Sequence, residues 1–223
     1  MCSEVVRIYT RSGSVSGGVE SHPGKLQVLD QRCGKLVARD ARWRIAGHAV
    51  QLRASQRAGG GDFLVIRTTG TDAYNPYIQE LCPQMDSVET IIITSVTGAN
   101  SAYVSTQIQN AESLWIAGGD QSTYVELWRG TAVQTGVNFL LNSKQAPVGG
   151  TSAGLAVLSQ FIYTGALGSV TSSQALANPF HRYVTLDRDL FQSALRINKL
   201  YDSHFVTRDR MGRSLAFLAR IVN

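Results

Sequence analysis

The sequence has few cysteines, no long apolar run and no signal-like start. Its three cysteines, Cys2, Cys33 and Cys82, are widely spaced and form no C-x-x-C pair, so neither a disulfide framework nor a zinc site is expected. No stretch approaches the ~18–20 apolar residues of a membrane span. Residues 1–7 lack the basic start and apolar core of a signal peptide. We therefore expect no membrane partner and a cytoplasmic location, or a secreted protein if a leader has been lost.

Charge is present but unevenly spread along the 223 residues. Residues 1–58 hold ten Lys or Arg against four Asp or Glu, whereas residues 59–223 hold eleven against twelve. Nucleic-acid binding would need basic residues interleaved with aromatic ones on a recognisable module, and Trp43 is the one tryptophan of the basic part. The sequence therefore predicts no nucleic-acid partner. It divides into a poorly patterned basic segment, 1–58, and a domain, 59–223.

From Gly59 onward, apolar strand-like runs alternate with helical patterns. The predicted strands are 63–68, 88–94, 114–117, 148–150 and 200–206, and the predicted helices are 75–81, 102–110, 123–141, 155–161, 188–196 and 210–222. This alternation predicts an α/β fold, a three-layer sandwich with a mainly parallel sheet. Because sites on such sheets lie beyond the carboxyl ends of the strands, the loops at 118–121, 150–154 and 202–208 are expected to meet in one crevice.

A G-x-S-x-G pattern is formed by Gly150, Ser152 and Gly154. Short apolar residues precede it and a helix-compatible run follows, an order typical of a nucleophile elbow with the serine at the corner. A Cβ at position 150 or 154 would collide in such a turn. The pattern also occurs by chance, so its interpretation depends on the rest of the chain.

A serine nucleophile needs a base, which is usually histidine. The chain offers four: His22, His48, His181 and His204. His204 follows a predicted strand end and comes after the elbow in chain order, as in elbow enzymes generally. We predict that His204 is the base; a hydrogen-bonded structural histidine is the alternative interpretation.

The neighbouring loops supply further site residues. The backbone N–H groups of Gly119 and Ala153 are expected to form an oxyanion hole, with an ordinary tight turn at 118–119 as the alternative. Arg208, Arg210 and Arg213 crowd the segment after His204. Their guanidinium groups would suit a substrate carboxylate. The alternative is solvated charge at a helix start, which is weaker than usual because a cation at a helix N-terminus is electrostatically unfavourable.

Three segments together resemble a known family. They are AGGDQ at 117–121, GGTSAG at 149–154 and DSHFVTRDRMGR at 202–213. They look like the signatures of cyanophycinase and its relatives, serine peptidases related to dipeptidase E with a class I glutamine amidotransferase-like fold. The resemblance covers about residues 59–222.

The resemblance implies hydrolysis of cyanophycin, a poly-aspartate with arginine on each β-carboxylate, or of related β-aspartyl dipeptides, through an acyl-enzyme. Carried over by position, Ser152 would be the nucleophile and His204 the base. Gly119 and Ala153 would form the oxyanion hole. The residues that would hold the Asp/Arg-rich peptide substrate are Gln121, Asp202, Arg208 and Arg213. No metal or other cofactor is implied, and a homodimer is left open.

The sequence departs from the family at two places that concern the site. Ser203 stands where cyanophycinases usually have Gln. The family also has a glutamate-bearing segment after the arginine-rich helix, and this sequence ends at Asn223 before it, so we expect a domain shortened at its C-terminus. The acid that would orient the histidine is therefore unidentified, with Asp202, Asp187 and Asp189 as substitutes.

Two other functions stay open. One is an inactive cyanophycinase-like protein that at most binds such ligands, and it is motivated by the unidentified acid. The other is a lipase-like esterase, which would share the elbow but needs a large apolar pocket. The polar cluster of Asp202, Arg208 and Arg213 argues against the esterase.

Overall fold

A computed structural model describes residues 57–222 and, in addition, the backbone of two strands nearer the N-terminus, β1 (Val6–Tyr9) and β2 (Gln27–Asp30). Within the segment 1–58, the sequence pattern predicts strands at 25–30 and 35–38, and either a short strand or an Arg-rich helix at 42–57. β2 lies within the first of these ranges. Residues 35–38 and 42–56 lie outside the described residues, and the division of the chain at residue 58 stays a prediction.

The central element is a four-stranded parallel sheet. Its strands are β3 (Asp62–Arg67), β4 (Ser87–Ile92), β5 (Ser113–Ile116) and β6 (Val148–Gly150), in the order β4-β3-β5-β6. In the register, Leu64 pairs with Leu114, and Ile116 pairs with Gly150. The carboxyl ends of β5 and β6 therefore lie side by side, and the chain leaves them at Ala117 and Thr151.

Eight α-helices have both ends in the described part of the chain: α1 (Tyr74–Leu81), α2 (Val96–Ala99), α3 (Ala102–Asn110), α4 (Gln121–Trp128), α5 (Ala132–Phe139), α6 (Ala153–Ala156), α7 (Ser172–Ala177) and α8 (Met211–Val222). A π-helical turn, Leu140–Lys144, extends α5. Side-chain oxygens of Ser101, Asp120 and Thr171 accept hydrogen bonds from the first turns of α3, α4 and α7. These caps satisfy N–H groups that the helices cannot pair internally.

Helices cover both faces of the parallel sheet because side chains alternate along each strand. On one face Phe63 and Val65 pack with Ile78 of α1. On the other, Leu64 and Ile66 belong to a larger core with α3, α4 and α5. The predicted α/β three-layer sandwich with a mainly parallel sheet is confirmed.

A second sheet lies along the last part of the chain. It contains β7 (Phe161–Tyr163), β8 (Leu186–Arg188) and β9 (Lys199–Asp202), with the order β2-β1-β9-β7-β8. β7 and β9 are parallel and the other pairs are antiparallel. Ile162 and Tyr201 belong to the same core cluster as Leu114, so one continuous core joins the described strands of both sheets.

Several predicted elements are wrong in type or extent. The helix predicted over 155–161 is one turn, α6, because the buried Ser159 hydroxyl donates to the carbonyls of Ala156 and Phe161 and strand β7 follows. The segment 188–196 is not a helix. Arg188 ends β8, where it pairs with Phe161, and only 194–196 forms a 3-10 turn. Long-range strand pairing overrides the local pattern here.

The other differences are breaks and turns. The helix predicted over 123–141 is interrupted at Gly130, whose φ of +71° ends α4. The last strand stops at Asp202 rather than 206, because the chain turns at His204 with φ +55°. Residues 165–181, whose Ser, Gly and Asn content predicts a surface loop over the site, contain α7, which packs Leu176 against Gly212 of α8. Among the residues described, no helix has the length and apolar character needed to cross a membrane.

Candidate active site

Ser152 occupies the sharp turn between β6 and α6. Its φ of 51° and ψ of −116° lie outside the regions that a residue with a side chain normally adopts. The turn is tight: a Cβ on Gly150 would lie 2.6 Å from the backbone of Gly154, and one on Gly154 would overlap the carbonyl of Ile116. The predicted requirement for glycine at both positions is confirmed, and the strand–turn–helix order is that of a nucleophile elbow.

The side chain of His204 lies at hydrogen-bond distance from that of Ser152. Its Nε2 atom lies 3.0 Å from the Ser152 hydroxyl oxygen, although the two residues are 52 positions apart. Of the other histidines, His181 accepts a hydrogen bond from the amide of Tyr183 through Nδ1, whereas His22 and His48 lie outside the described residues. A hydroxyl at hydrogen-bond distance from an imidazole nitrogen is the arrangement that activates a serine nucleophile.

The surroundings of His204 favour the neutral form of its imidazole. Partial burial lowers the pKa of the His204 imidazole below its ordinary value, and the positive charges of Arg208, Arg210 and Arg213 lower it further. The carboxylate of Asp202 acts in the opposite direction but does not outweigh them. A neutral imidazole can accept the serine proton at neutral pH.

Two backbone N–H groups near Ser152 are free to donate. The N–H of Ala153, the first residue of α6, and that of Gly119 make no hydrogen bond to any other described residue. Gly118 brings the strand-end loop to the elbow, since a Cβ there would lie 3.4 Å from the Cβ of Ser152. The assignment of Gly119 and Ala153 to an oxyanion hole stays a prediction, with donors available at both positions.

Sequence reasoning missed Tyr124, which lies under the glycine loop. A Cβ on Gly119 would lie 2.6 Å from the Tyr124 hydroxyl, so glycine is required at 119. The hydroxyl donates to the carbonyl of Ala117 at 2.9 Å. Burial raises the pKa of Tyr124 to about 12, which keeps this phenol neutral and its hydrogen bond intact. No local pattern marked this contact, because it depends on how α4 packs under the loop.

Gln121 and Asp120 occupy the start of α4, beside the glycine loop. The Asp120 carboxylate accepts from the amides of Ser122 and Thr123 at 2.8 and 3.4 Å, so it caps the helix. A Cβ on Gly165 would lie 3.6 Å from the Nε2 atom of Gln121. The amide of Gln121 therefore lies between the glycine loop and the loop after β7.

Asp202 and Arg213 bind each other. The guanidinium of Arg213 donates to both carboxylate oxygens of Asp202, at 2.6 and 2.7 Å, and the two residues are only 3% and 6% exposed, respectively. Arg210 adds a third bond to the same carboxylate, at 3.0 Å. The Arg213 guanidinium also lies 4.7 Å from the ring centre of Tyr163. Arg208, in contrast, is exposed, and its guanidinium forms no hydrogen bond or salt bridge with described residues.

None of the acids proposed as a third catalytic group contacts His204. Asp187 forms a salt bridge with Arg129 at 2.9 Å, and Asp189 forms one with Arg188 at 2.7 Å. The Asp202 carboxylate accepts hydrogen bonds from Arg210 and Arg213. Among the described residues, the only hydrogen bond of the His204 side chain is the one to Ser152. The same part of the chain contains no cluster of three His, Cys, Asp or Glu that could hold a metal ion.

No protein-family model matches the chain, and no curated protein matches it. The chain is similar to the crystal structure of a peptidase from an acI-B1 Actinobacterium, with 17% identity, a TM-score of 0.42, and coverage of 57% of this chain and 55% of that one. It thus spans about half the length of that peptidase. A similarity this weak carries no inference about activity.

Proposed function

We propose that the protein is a serine-type hydrolase that cleaves amide bonds in Asp/Arg-rich peptides, of the cyanophycin or β-aspartyl dipeptide class. The observation that carries this proposal is the Ser152 hydroxyl, held on a strained turn 3.0 Å from a half-buried imidazole. Strained backbone conformations of this kind concentrate at catalytic positions. The family resemblance of the three strand-end segments supports the same substrate class.

In the acylation step, the Ser152 oxygen attacks the carbonyl carbon of the scissile amide while its proton passes to Nε2 of His204. The negative charge that develops on the carbonyl oxygen is stabilised by the N–H groups of Gly119 and Ala153. The carbon–nitrogen bond then breaks. The leaving amine takes the proton from His204, and the acyl group stays on Ser152 as an ester.

In the deacylation step, water attacks the ester carbonyl and gives a proton to His204. Collapse of the second tetrahedral intermediate breaks the bond to Ser152, and His204 returns its proton to the serine oxygen. The product leaves as a carboxylic acid that ionises. The cycle restores the enzyme and consumes one water, so it requires no redox or metal step.

The charges around the site favour a substrate that carries a carboxylate group. Arg208 is the arginine of this segment whose guanidinium is not already engaged by described residues, so we assign it to a substrate carboxylate. Gln121 lies beside the glycine loop and can donate to the same ligand. The predicted substrate contacts of Asp202 and Arg213 would require their buried ion pair to open.

A second candidate function is binding without catalysis. The observation in its favour is that no acid among the described residues orients His204, since removing such an acid can cost about 10⁴-fold in turnover. Both candidates predict that the chain binds an Asp/Arg-rich peptide. Only a measurement of hydrolysis distinguishes them.

The experiment is incubation of the full chain with cyanophycin and with a β-Asp-Arg dipeptide. A third substrate is the same dipeptide with its free carboxylates converted to amides. The Ser152→Ala variant should release products only at the background rate, a loss of about 10⁴-fold or more. The wild-type chain should cleave the amidated peptide poorly. Ser143→Ala, a change at an exposed serine, is the matched control. Undiminished hydrolysis by Ser152→Ala would exclude the mechanism. Binding of the peptides by a folded protein with no product would favour the second candidate.

A further inference from the structure

His204 has an unusual backbone conformation that something must hold. Its φ of +55° places a residue with a side chain in the left-handed region, which is sparsely populated by residues other than glycine and asparagine. In a serine triad, an acid bonded to the second ring nitrogen orients the histidine. His204 has no such partner among the described residues. Within the described part of the chain, the contacts that can hold its alignment with Ser152 are those to the main chain of its own turn.

Arg210 contacts the main chain on both sides of His204. Its guanidinium donates to the carbonyl of Ser203, the residue before His204, at 2.6 Å. Its backbone amide donates to the carbonyl of Phe205, the residue after His204, at 2.8 Å. The amide of Arg208 closes the same turn by donating to the carbonyl of His204 at 3.0 Å.

Arg210 also connects the His204 turn to Asp202 at the end of strand β9. Nη1 of Arg210, the atom that binds the Ser203 carbonyl, also donates to Asp202 at 3.0 Å. Asp202 ends strand β9 and is held in turn by the buried guanidinium of Arg213. A chain of charge-assisted hydrogen bonds therefore connects helix α8, the end of β9 and the residues that flank His204.

We propose that Arg210 is a positioning residue that holds His204 against Ser152 through the main chain, and that it thereby supplies the orienting part of the role that a third acid has in a triad. This inference rests on the proposed hydrolase function. It assigns Arg210 a task different from that of a substrate arginine: its side chain is largely buried, 13% exposed, and its donors are turned to Asp202 and to the backbone.

The planar guanidinium is needed for this geometry. Its Nη1 atom carries two N–H donors whose directions are fixed in the guanidinium plane, and this atom binds both Asp202 and Ser203. The ammonium of lysine lies on a flexible stem that is one bond shorter. Lysine at 210 would thus keep the positive charge near His204 but lose the bridge between Asp202 and Ser203. Glutamine would lose both the charge and the full bridge.

The test compares Arg210→Lys, Arg210→Gln and a matched control, Arg220→Gln. Arg220 is also on α8 and also donates to a backbone carbonyl, that of Val184, at 2.7 Å. Both Arg210 variants should lose about 100-fold in kcat with little change in KM, since displacement of a catalytic group by about 1 Å costs that much. The control should keep the wild-type kcat.

Titration of His204 separates positioning from charge. The charged groups that face this imidazole are Arg208, Arg210, Arg213 and Asp202. Arg210→Gln removes one cation, so the His204 pKa measured by NMR and the acid limb of the kcat profile should move to higher pH. Arg210→Lys should leave both near their wild-type positions while kcat still falls. That combination cannot arise from a change of charge alone.

Three results would overturn the inference. One is wild-type kcat in Arg210→Lys or Arg210→Gln, provided that wild-type hydrolysis depends on Ser152. Another is a rise in KM at constant kcat, which would make Arg210 a substrate residue. If the variants do not fold, rapid hydrogen exchange of the Arg210 amide in the wild-type protein would also exclude a fixed turn. Hydrolysis that is insensitive to Ser152→Ala would instead refute the proposed function itself.

Discussion

Both residues of the serine–histidine pair have a left-handed backbone, with φ +51° at Ser152 and +55° at His204. Each such conformation costs about 1–3 kcal/mol and persists only where the surroundings hold it. At Ser152 the closely packed glycines of the elbow allow the turn. At His204 the bonds of Arg208 and Arg210 to neighbouring carbonyls close it. The strain in this part of the chain therefore coincides with the two groups that would do the chemistry.

The pH dependence of hydrolysis follows from the environment of His204. Burial and the nearby arginines disfavour the imidazolium, so the pKa lies below the ordinary value of about 6.5. Because the base must be neutral, kcat/KM should be constant near pH 7 and fall only as the pH drops through that lowered pKa. A pH–rate profile measures this.

His181→Gln is the control for the pH profile, since His181 bonds to the backbone of Tyr183 and not to Ser152. It should leave the acid limb unchanged. An acid limb above about pH 6.5 in the wild-type protein would contradict the prediction. It would mean that a carboxylate stabilises the imidazolium more than the arginines destabilise it.

At the scale of elements, the site is made where the ends of three strands approach one another. β5 leads into the glycine loop, β6 into the elbow, and β9 into the His204 turn. β5 and β6 are neighbours in the parallel sheet, whereas β9 belongs to the second sheet. Helix α6 packs against both β6 and β9, so the serine and the histidine reach each other across the boundary of the two sheets.

Close packing of the elbow on β5 predicts a large effect of Gly154→Ala. The new Cβ would overlap the carbonyl of Ile116 and lie 2.6 Å from that of Ala117. Backbone atoms cannot yield as a side chain can, so we expect a loss of about 1–3 kcal/mol in the free energy of unfolding, or more. Denaturant titration and kcat/KM measure the two effects, and activity should fall to near background.

Gly98→Ala is the matched control for this change. Gly98 lies in helix α2, where a Cβ would come no closer than 3.3 Å, to the side chain of Ser95. Alanine is also the better helix former, so stability and activity should remain close to wild type. Equal effects of the two substitutions would show that the elbow is not as tightly packed as the distances indicate.

At the scale of the whole molecule, the largest apolar cluster of the described residues contains side chains of both sheets. It combines Leu114 of the parallel sheet, Ile162 and Tyr201 of the second sheet, and residues of the helices between them. A shared core makes the two sheets interdependent, so loss of packing in one is expected to loosen the other. Cooperative unfolding of the described sheets together is the expected behaviour.

Leu114→Ala tests this core, and Leu195→Ala is its matched control. Leu114 is fully buried and Leu195 is 79% exposed. The buried substitution should lower the free energy of unfolding by about 2–5 kcal/mol, whereas the exposed one should change it by less than about 0.5 kcal/mol. Urea titration followed by circular dichroism and by tryptophan fluorescence should give coincident transitions. Separate transitions of the two probes would contradict a single core.

Much of this site could be predicted from the sequence alone. Ser152 was identified from the order of strand, glycines and helix, and His204 from its place after a strand, since both signals are local. Tyr124 was missed, and Arg210 was expected only to bind a carboxylate, because the contacts of both residues depend on packing. The helix predicted at 188–196 failed for the same reason, because Arg188 pairs with β7, 27 residues away in the chain.

The sequence by itself determined the α/β alternation, the elbow and the identity of the nucleophile and its expected base. These features depend on the order and spacing of residues within one strand–loop–helix unit, where local sterics and periodicity decide. Only the tertiary structure decided that Asp202 pairs with Arg213, that Arg210 flanks His204 and that no described acid reaches the imidazole. Side chains from separate elements compete for the same partners, and long-range packing sets the distances that decide which pairs form.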